Sequence, residues 1–571
     1  MVRLYSGYSL KSKLRGLLSI PVIITLIATA MIILPVYNLF VNSFTSIGFG
    51  QPVGFTLQNY ITVFTDPQLG MLFANSFVYA LGSALFSVSI ASLLAWIVAR
   101  TDAPLKKLAE LLPVIPLVFP PILKNIAWIH ILAPRSGILN NLLSDLVGTK
   151  VTIFNAFSIP AMIWTYGLAM VPVAFLFILP SFILGDPSLE EAANMSGAST
   201  RKAMFKITLP LAFPAIFSTF ILMLIGGLEA FETAVLQGMP GGIYVFVSRV
   251  YDAIEVKLNP GLATAYASIL ITITISLVGV YVWSTRKAHK YATVVGKAYR
   301  PRLIRLGKWK YVAFLFVLGF FFISTIIPYG VVAVISAIPY FEYSVFKSFP
   351  SHLTNTNYVE VLSHPTFQRG MLNSLLLGLS AAVVVVIACA IMAYVIHRGT
   401  GRGKKLFEFT GTLPLGFPGI LLGLGLLWAY YGTPLFGSLW GILVAYLVVY
   451  TPHGLRTLSS ATIRIHKELE EASNVHGGSW LYTFRRITLP LLKPAMAAGF
   501  FFIFIQAQRN LGSVVLLSGP GIEVAPAVIF DYFNAGQWGE TAAAGLIFSS
   551  TLLAYLLIAK YSLKIKFTAA E

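Results

Sequence analysis

The chain has 571 residues, of which 57% are hydrophobic and 11% charged, with a mean hydropathy of +0.80. A soluble domain carries roughly 25% charged residues, so the composition excludes a soluble enzyme, a disordered scaffold and a disulfide-built secreted protein. The one cysteine, Cys389, lies in an apolar run and leaves no internal disulfide to form.

A bilayer core ~30 Å thick takes about 20 apolar residues of helix. That criterion predicts spans near 17–42, 72–98, 108–133, 158–184, 210–236 and 262–285, and a second set near 312–338, 372–396, 407–430, 437–455, 490–517 and 540–560. The third and ninth are interrupted, by Pro113, Pro116, Pro120 and Pro121 and by Pro414 and Pro418. Arg3, Lys11, Lys13 and Arg15 precede the first apolar run, as in a signal peptide, but the run is too long for a signal core and reads as a span.

The net charge of +19 reflects topology rather than nucleic-acid binding, because the basic residues gather between apolar stretches. With both termini on the cytoplasmic side, 32 of the 40 Lys and Arg fall in inner segments and six in outer loops. That asymmetry sets the orientation.

The two sets of spans repeat one module. Asn59-Tyr60, Asn75-Ser76, Arg100 and Pro116-Leu117-x-Phe119-Pro120 recur 298 residues later as Asn357-Tyr358, Asn373-Ser374, Arg398 and Pro414-Leu415-x-Phe417-Pro418. Farther along, Glu190-Glu191-Ala192 and Ile207-Thr208-Leu209-Pro210 recur 280 residues later as Glu470-Glu471-Ala472 and Ile487-Thr488-Leu489-Pro490. The second copy therefore lacks 18 residues, which the outer loop around 133–140 is expected to have lost. The fold class is an all-α polytopic membrane protein of two tandem six-helix modules, 1–285 and 312–571, joined by a basic cytoplasmic linker at 286–311. Six spans per copy make the halves parallel, an arrangement that places a substrate path at their interface.

The inner loops at 186–210 and 466–490 carry the most specific pattern. They read Glu191-Ala192-Ala193-x3-Gly197-x9-Ile207-x-Leu209-Pro210 and Glu471-Ala472-Ser473-x3-Gly477-x9-Ile487-x-Leu489-Pro490. Asp186-Pro187-Ser188 supplies a helix start, and Glu190 and Glu191 occupy the first turn, where the helix dipole favours anions. Ala192, Ala193 and Gly197 leave a shallow face that another protein can approach, and Gly197 allows a bend before a second stretch.

This pattern resembles the EAA signature of membrane subunits in binding-protein-dependent ABC importers, departing from it only at Ser473. With it, the fold is expected to be the type I importer module, written twice. The resemblance implies that Glu190, Glu191, Ala192, Gly197, Glu470, Glu471, Ala472 and Gly477 couple the chain to two copies of a separate ATPase subunit. That subunit would bind ATP and Mg, while an extracytoplasmic binding protein delivers the solute. No P-loop is present; Gly399-Thr400-Gly401-Arg402-Gly403-Lys404-Lys405 has neither the spacing nor the hydroxyl. The chain is thus expected to be a non-enzymatic permease of the cell membrane with no cofactor or metal centre of its own.

A fused two-half permease resembles the iron(III), thiamine and polyamine or aminoethylphosphonate branch, with iron(III) as the leading solute. Charged residues within spans ask for a partner or a pore. Glu229 and Arg509 occupy equivalent positions and are expected to pair or flank the path, with Glu232 and Lys124 as further candidates. The alternative is a secondary carrier of the major-facilitator type, also of twelve spans in two parallel halves, against which the duplicated loop argues.

Overall fold

The computed structural model describes residues 20–45, 54–183, 192–193, 195–288, 303–399 and 403–563. Among these residues the regular structure is helical, with two isolated bridges and no strand. Eight helices are long and apolar enough to cross a bilayer, and ten if each of two bent pairs counts as one span. The twelve expected spans are therefore reduced by that measure. The remaining two positions hold 26-residue helices, Leu439–Arg464 and Trp538–Leu563, outside the set that meets the length-and-apolarity criterion.

In chain order the long helices are α1 (Ile20–Ser43), α2 (Leu69–Arg100), α3 (Pro121–Leu132), α4 (Ile159–Ile183), α5 (Leu209–Glu229), α6 (Pro260–Ala288) and α7 (Trp309–Ser336). They continue as α8 (Pro365–Arg398), α9 (Gly419–Tyr430), α10 (Leu439–Arg464), the short α11 (Lys467–Val475), α12 (Leu489–Gln508) and α13 (Trp538–Leu563).

By mutual contact the chain forms two units, 1–59 with 368–528 and 60–367 with 529–571. In the first, α1 packs along α9 and α10 packs on α12. Gly425 of α9 is required there, since a side chain would collide with the Pro35 carbonyl of α1. In the second, α2 lies against α4 and α5, α6 against α5, and α7 against α3 and α13. The units of contact therefore cut across the sequence repeat: the first joins α1 to helices of the second copy, and the second joins α7 and α13 to helices of the first.

The repeated dipeptides do the same work twice. The Asn59 amide donates to the Ser43 and Thr45 carbonyls, and Asn357 to those of Ser336 and Ile338, at 2.8–3.0 Å. Asn75 and Ser76 hold the Tyr244 carbonyl and Phe246 amide; Asn373 and Ser374 hold the Glu523 carbonyl and Ala525 amide. The connection from α3 to α4 has 26 residues and includes a helix, Ile138–Val147, whereas that from α9 to α10 has eight. This difference accounts for the 18-residue shortening.

Neither proline-rich segment is a straight span. Lys106–Val118 and Pro121–Leu132 meet at 91°, and Lys404–Gly416 and Gly419–Tyr430 at 112°. The bend follows from missing donors: an α-helical Pro116 carbonyl would accept from residue 120, and Pro120 has no N–H. The copies repair this differently. Lys124 Nζ donates to the Pro116 carbonyl at 2.6 Å, whereas the Pro414 carbonyl accepts from the Phe417 amide at 3.2 Å in a tighter turn.

Candidate functional site

The loop at 466–490 is described almost completely. Helix α11 places Glu468 and Glu470 in its first turn, and the chain then turns at Gly477, whose φ is +77°. The Gly478 amide bonds the Ser473 carbonyl at 2.8 Å, the six-residue closure of a Schellman cap, which needs a left-handed residue at the glycine position. In the first loop Gly197 has φ +82° and the Ala198 amide bonds the Ala193 carbonyl at 2.9 Å. The glycine of the motif is therefore a helix stop. A side chain there would meet open space, so backbone strain alone favours glycine.

Beyond each cap the chain makes a short helical turn and a π-type turn, Met204–Thr208 and Phe484–Thr488, before α5 and α12. The widened turn sits where Pro210 and Pro490 withhold the next amide. Ser473, the departure from the motif, bonds Thr483 Oγ1 at 2.8 Å; its counterparts are Ala193 and Ala203, so both partners differ together between the copies.

The expected coupling residues do not share one environment. Ala192, Glu471 and Ala472 are exposed, whereas Glu470 is 6% exposed, its carboxylate turned inward onto Arg398 and Thr488. Glu190 and Glu191 lie outside the described residues. The sequence reading passed over Met195 and Val475, equivalent positions beside the two caps, which at 90% and 84% are the most exposed large apolar side chains described. The available signal was an apolar residue at the same place in two otherwise polar turns.

Three of the four candidate path residues, Glu229, Glu232 and Arg509, lie at or just beyond helix ends. Glu229 is the last residue of α5, which stops at Ala230 (ψ 92°), and Glu232 follows in the first turn after the break. Arg509 caps α12 and donates to Gln506 Oε1 at 3.0 Å. The helices thus end before the expected spans do, within one residue of the same repeat position in the two copies. Glu229 opposes the helix dipole there while Arg509 complements it. Glu229 Oε1 is buried and finds no hydrogen-bond partner among the described residues. Lys124, in α3, is buried on the Pro116 carbonyl. Glu229, Glu232 and Lys124 belong to one unit and Arg509 to the other.

The second unit also holds a cavity of about 710 Å³ lined by His130, Arg135, Phe157, Phe341, Asn534 and Trp538 among others. The His130 ring stands edge-on to Phe341 and Trp538, at 4.4 and 5.3 Å between centroids. No group of three or more His, Cys, Asp or Glu able to hold a metal comes together among the described residues.

The family model described as "Binding-protein-dependent transport system inner membrane component" matches residues 88–290 and 386–564. A ferric transport system permease protein of Actinobacillus pleuropneumoniae is 26% identical over 493 residues, 84% of this chain and 68% of that protein. A permease protein of Salmonella typhi named for 2-aminoethylphosphonate transport is 28% identical over 211 residues, 36% of this chain and 80% of that protein. Among solved structures, a chain of a bacterial ABC transporter involved in alginate import aligns with TM-score 0.35 and 18% identity, over 45% of this chain and 96% of its own.

Proposed function

Because the chain belongs to the family of binding-protein-dependent transport system inner membrane components, we propose that it is the permease of an ATP-driven importer, with its EAA loops seated on two copies of a separate ATPase. A multi-pass membrane protein with a duplicated module is what the family match and the apolar helices establish; the coupling is our reading. The observation that carries it is the matched pair of inner loops, each closed by a left-handed glycine and tipped by an exposed apolar side chain, Met195 and Val475. Exposed apolar tips, in the second loop one turn from an exposed carboxylate, Glu471, suit a groove on another protein better than they suit water.

In this reading both termini and both loops face the cytoplasm, as the 32-to-6 distribution of basic residues supports. A binding protein delivers solute to the outer face, where the cavity around His130 and Arg135 lies. Closure of the ATPases draws the loops together and opens the path outward; separation opens it inward. Glu229, Glu232, Lys124 and Arg509 border that path. The leading solute is iron(III), supported by the ferric relatives over most of the chain; thiamine, a polyamine or aminoethylphosphonate are the alternatives.

The test is affinity purification of the full chain from its native host, followed by radiolabelled iron(III) uptake. Co-purification of a P-loop ATPase at two copies per chain, lost when Glu191→Ala is combined with Glu471→Ala, supports the importer. Uptake that follows an ion gradient with no ATPase bound refutes it in favour of a secondary carrier. Uptake of aminoethylphosphonate but not iron(III) refutes the solute alone.

A further inference from the structure

The paired glutamates of the second loop face opposite ways, and the inner one is at the centre of a polar knot. Glu470 Oε1 accepts from Arg398 Nε at 3.2 Å and from Thr488 Oγ1 at 3.1 Å. The same arginine donates through Nη2 to the Thr462 carbonyl at 3.1 Å and the Ile465 carbonyl at 2.6 Å. Both charged side chains are 8% exposed. Arg398 is the last residue of α8, Thr462 and Ile465 close α10, and Thr488 immediately precedes α12. One carboxylate therefore ties α11 to the inner ends of three long helices, while Glu471, the next residue, points outward.

We propose that Glu470 is a positioning residue that locks α11 to α8, α10 and α12, so that movement of the loop is delivered to the long helices, and that partner contact falls to Glu471. A buried ion pair with its remaining bonds satisfied resists deformation, and removing one member leaves the other charge uncompensated. A hinge lacking this knot would let the loop follow the ATPase while the helices stayed behind. The proposal rests on the importer reading and divides the two glutamates that the sequence treats alike. Arg100, Glu190 and Thr208 hold the same repeat positions in the first copy.

The test uses the full chain with its ATPase, and a nitroxide at Lys467→Cys, an exposed site at the start of α11, in a Cys389→Ala background; Cys389 is the only native cysteine. Glu470→Ala is expected to keep the ATPase bound at native stoichiometry, to lower solute-stimulated over basal ATP hydrolysis by ~tenfold, and to sharpen the nitroxide spectrum as the helix loosens. Glu470→Gln, which still accepts both bonds, is expected to restore most of each signal. Glu471→Ala is expected to weaken ATPase binding without changing the spectrum. Should Glu470→Ala fail to fold, Thr488→Val removes one bond at little change in shape and is expected to move both readouts the same way by a smaller amount.

A native spectrum and native stimulation in Glu470→Ala, or loss of ATPase binding as in Glu471→Ala, overturns the assignment. If no ATPase accompanies the unsubstituted chain, the importer reading fails by itself. The spectra then still decide whether Glu470 holds the helix.

Discussion

The ion pair between Asp66 and Arg249 allows a worked prediction. Arg249 Nη2 lies 3.2 Å from Asp66 Oδ2 and 3.0 Å from Gln68 Oε1, and its Nη1 is 3.7 Å from Asp252. The side chains of Arg249 and Asp66 are 10% and 20% exposed. The Coulomb attraction at that separation is ~5 kcal/mol for an effective dielectric of about 20; after desolvation and ordering, a charged hydrogen bond keeps ~1.5–3 kcal/mol. Asp66→Asn is expected to destabilise by ~1–2 kcal/mol, and Arg249→Met, which strips three partners, by ~3 kcal/mol, with a coupling of ~1–2 kcal/mol in the double mutant. Burial raises the Asp66 carboxyl, but the Gln68 amide, the Tyr266 hydroxyl and Arg249 outweigh it and hold it below its usual value. Its contribution is therefore present above the unfolded value of ~3.9 and is lost as pH falls through the lower folded one. Equilibrium unfolding of the three variants and the unsubstituted chain in mixed micelles, at neutral and acid pH, measures this. A coupling below ~0.3 kcal/mol at neutral pH, or one that survives protonation of Asp66, refutes the reasoning.

Lys124→Met leaves the Pro116 carbonyl buried without its donor and is expected to cost ~1–3 kcal/mol in the same unfolding assay; the counterpart change Leu422→Met should be nearly neutral. Gly477→Ala forces φ +77° on an L-residue and is expected to cost ~1–2 kcal/mol, seen as weaker ATPase co-purification, with Gly477→Asn recovering part of it. Glu229→Gln replaces a buried carboxyl that finds no hydrogen-bond partner among the described residues, at a helix C-terminus whose dipole disfavours its charged form, and is expected to leave stability within ~1 kcal/mol of native while lowering solute uptake. A larger loss of stability would show that the carboxylate is held by a cation.

The duplication was legible because identical residues at fixed offsets serve identical bonds, as Asn59 and Asn357 do. The bends were legible as prolines, though not as angles near a right angle. Which way each glutamate faces was not: adjacent helical residues lie about 100° apart, and the pair Glu470-Glu471 fits a helix in either rotation. Arg398 decides it, from a helix 72 residues away in sequence. The crossing of helices between copies was equally hidden, since α1 and α7 are both mainly apolar and neither sequence marks its partner. The early ends of α5 and α12 went unseen because apolar runs, Ala234-Val235-Leu236 and Val514-Val515-Leu516-Leu517, resume a few residues beyond them.

Helix α1 has a waiting problem during synthesis. Its neighbour α9 follows ~380 residues later, which at ~5–20 residues per second is roughly 20–75 s of translation. Through that interval α1 must stay in lipid with no protein companion from its final unit. Its polar side chains suit it to that: Thr25, Asn38 and Asn42 each bond a carbonyl one turn back within the same helix, at 2.8–2.9 Å. The helix thus carries its own solvation into the bilayer, and the ribosome can finish the second half before the first unit closes.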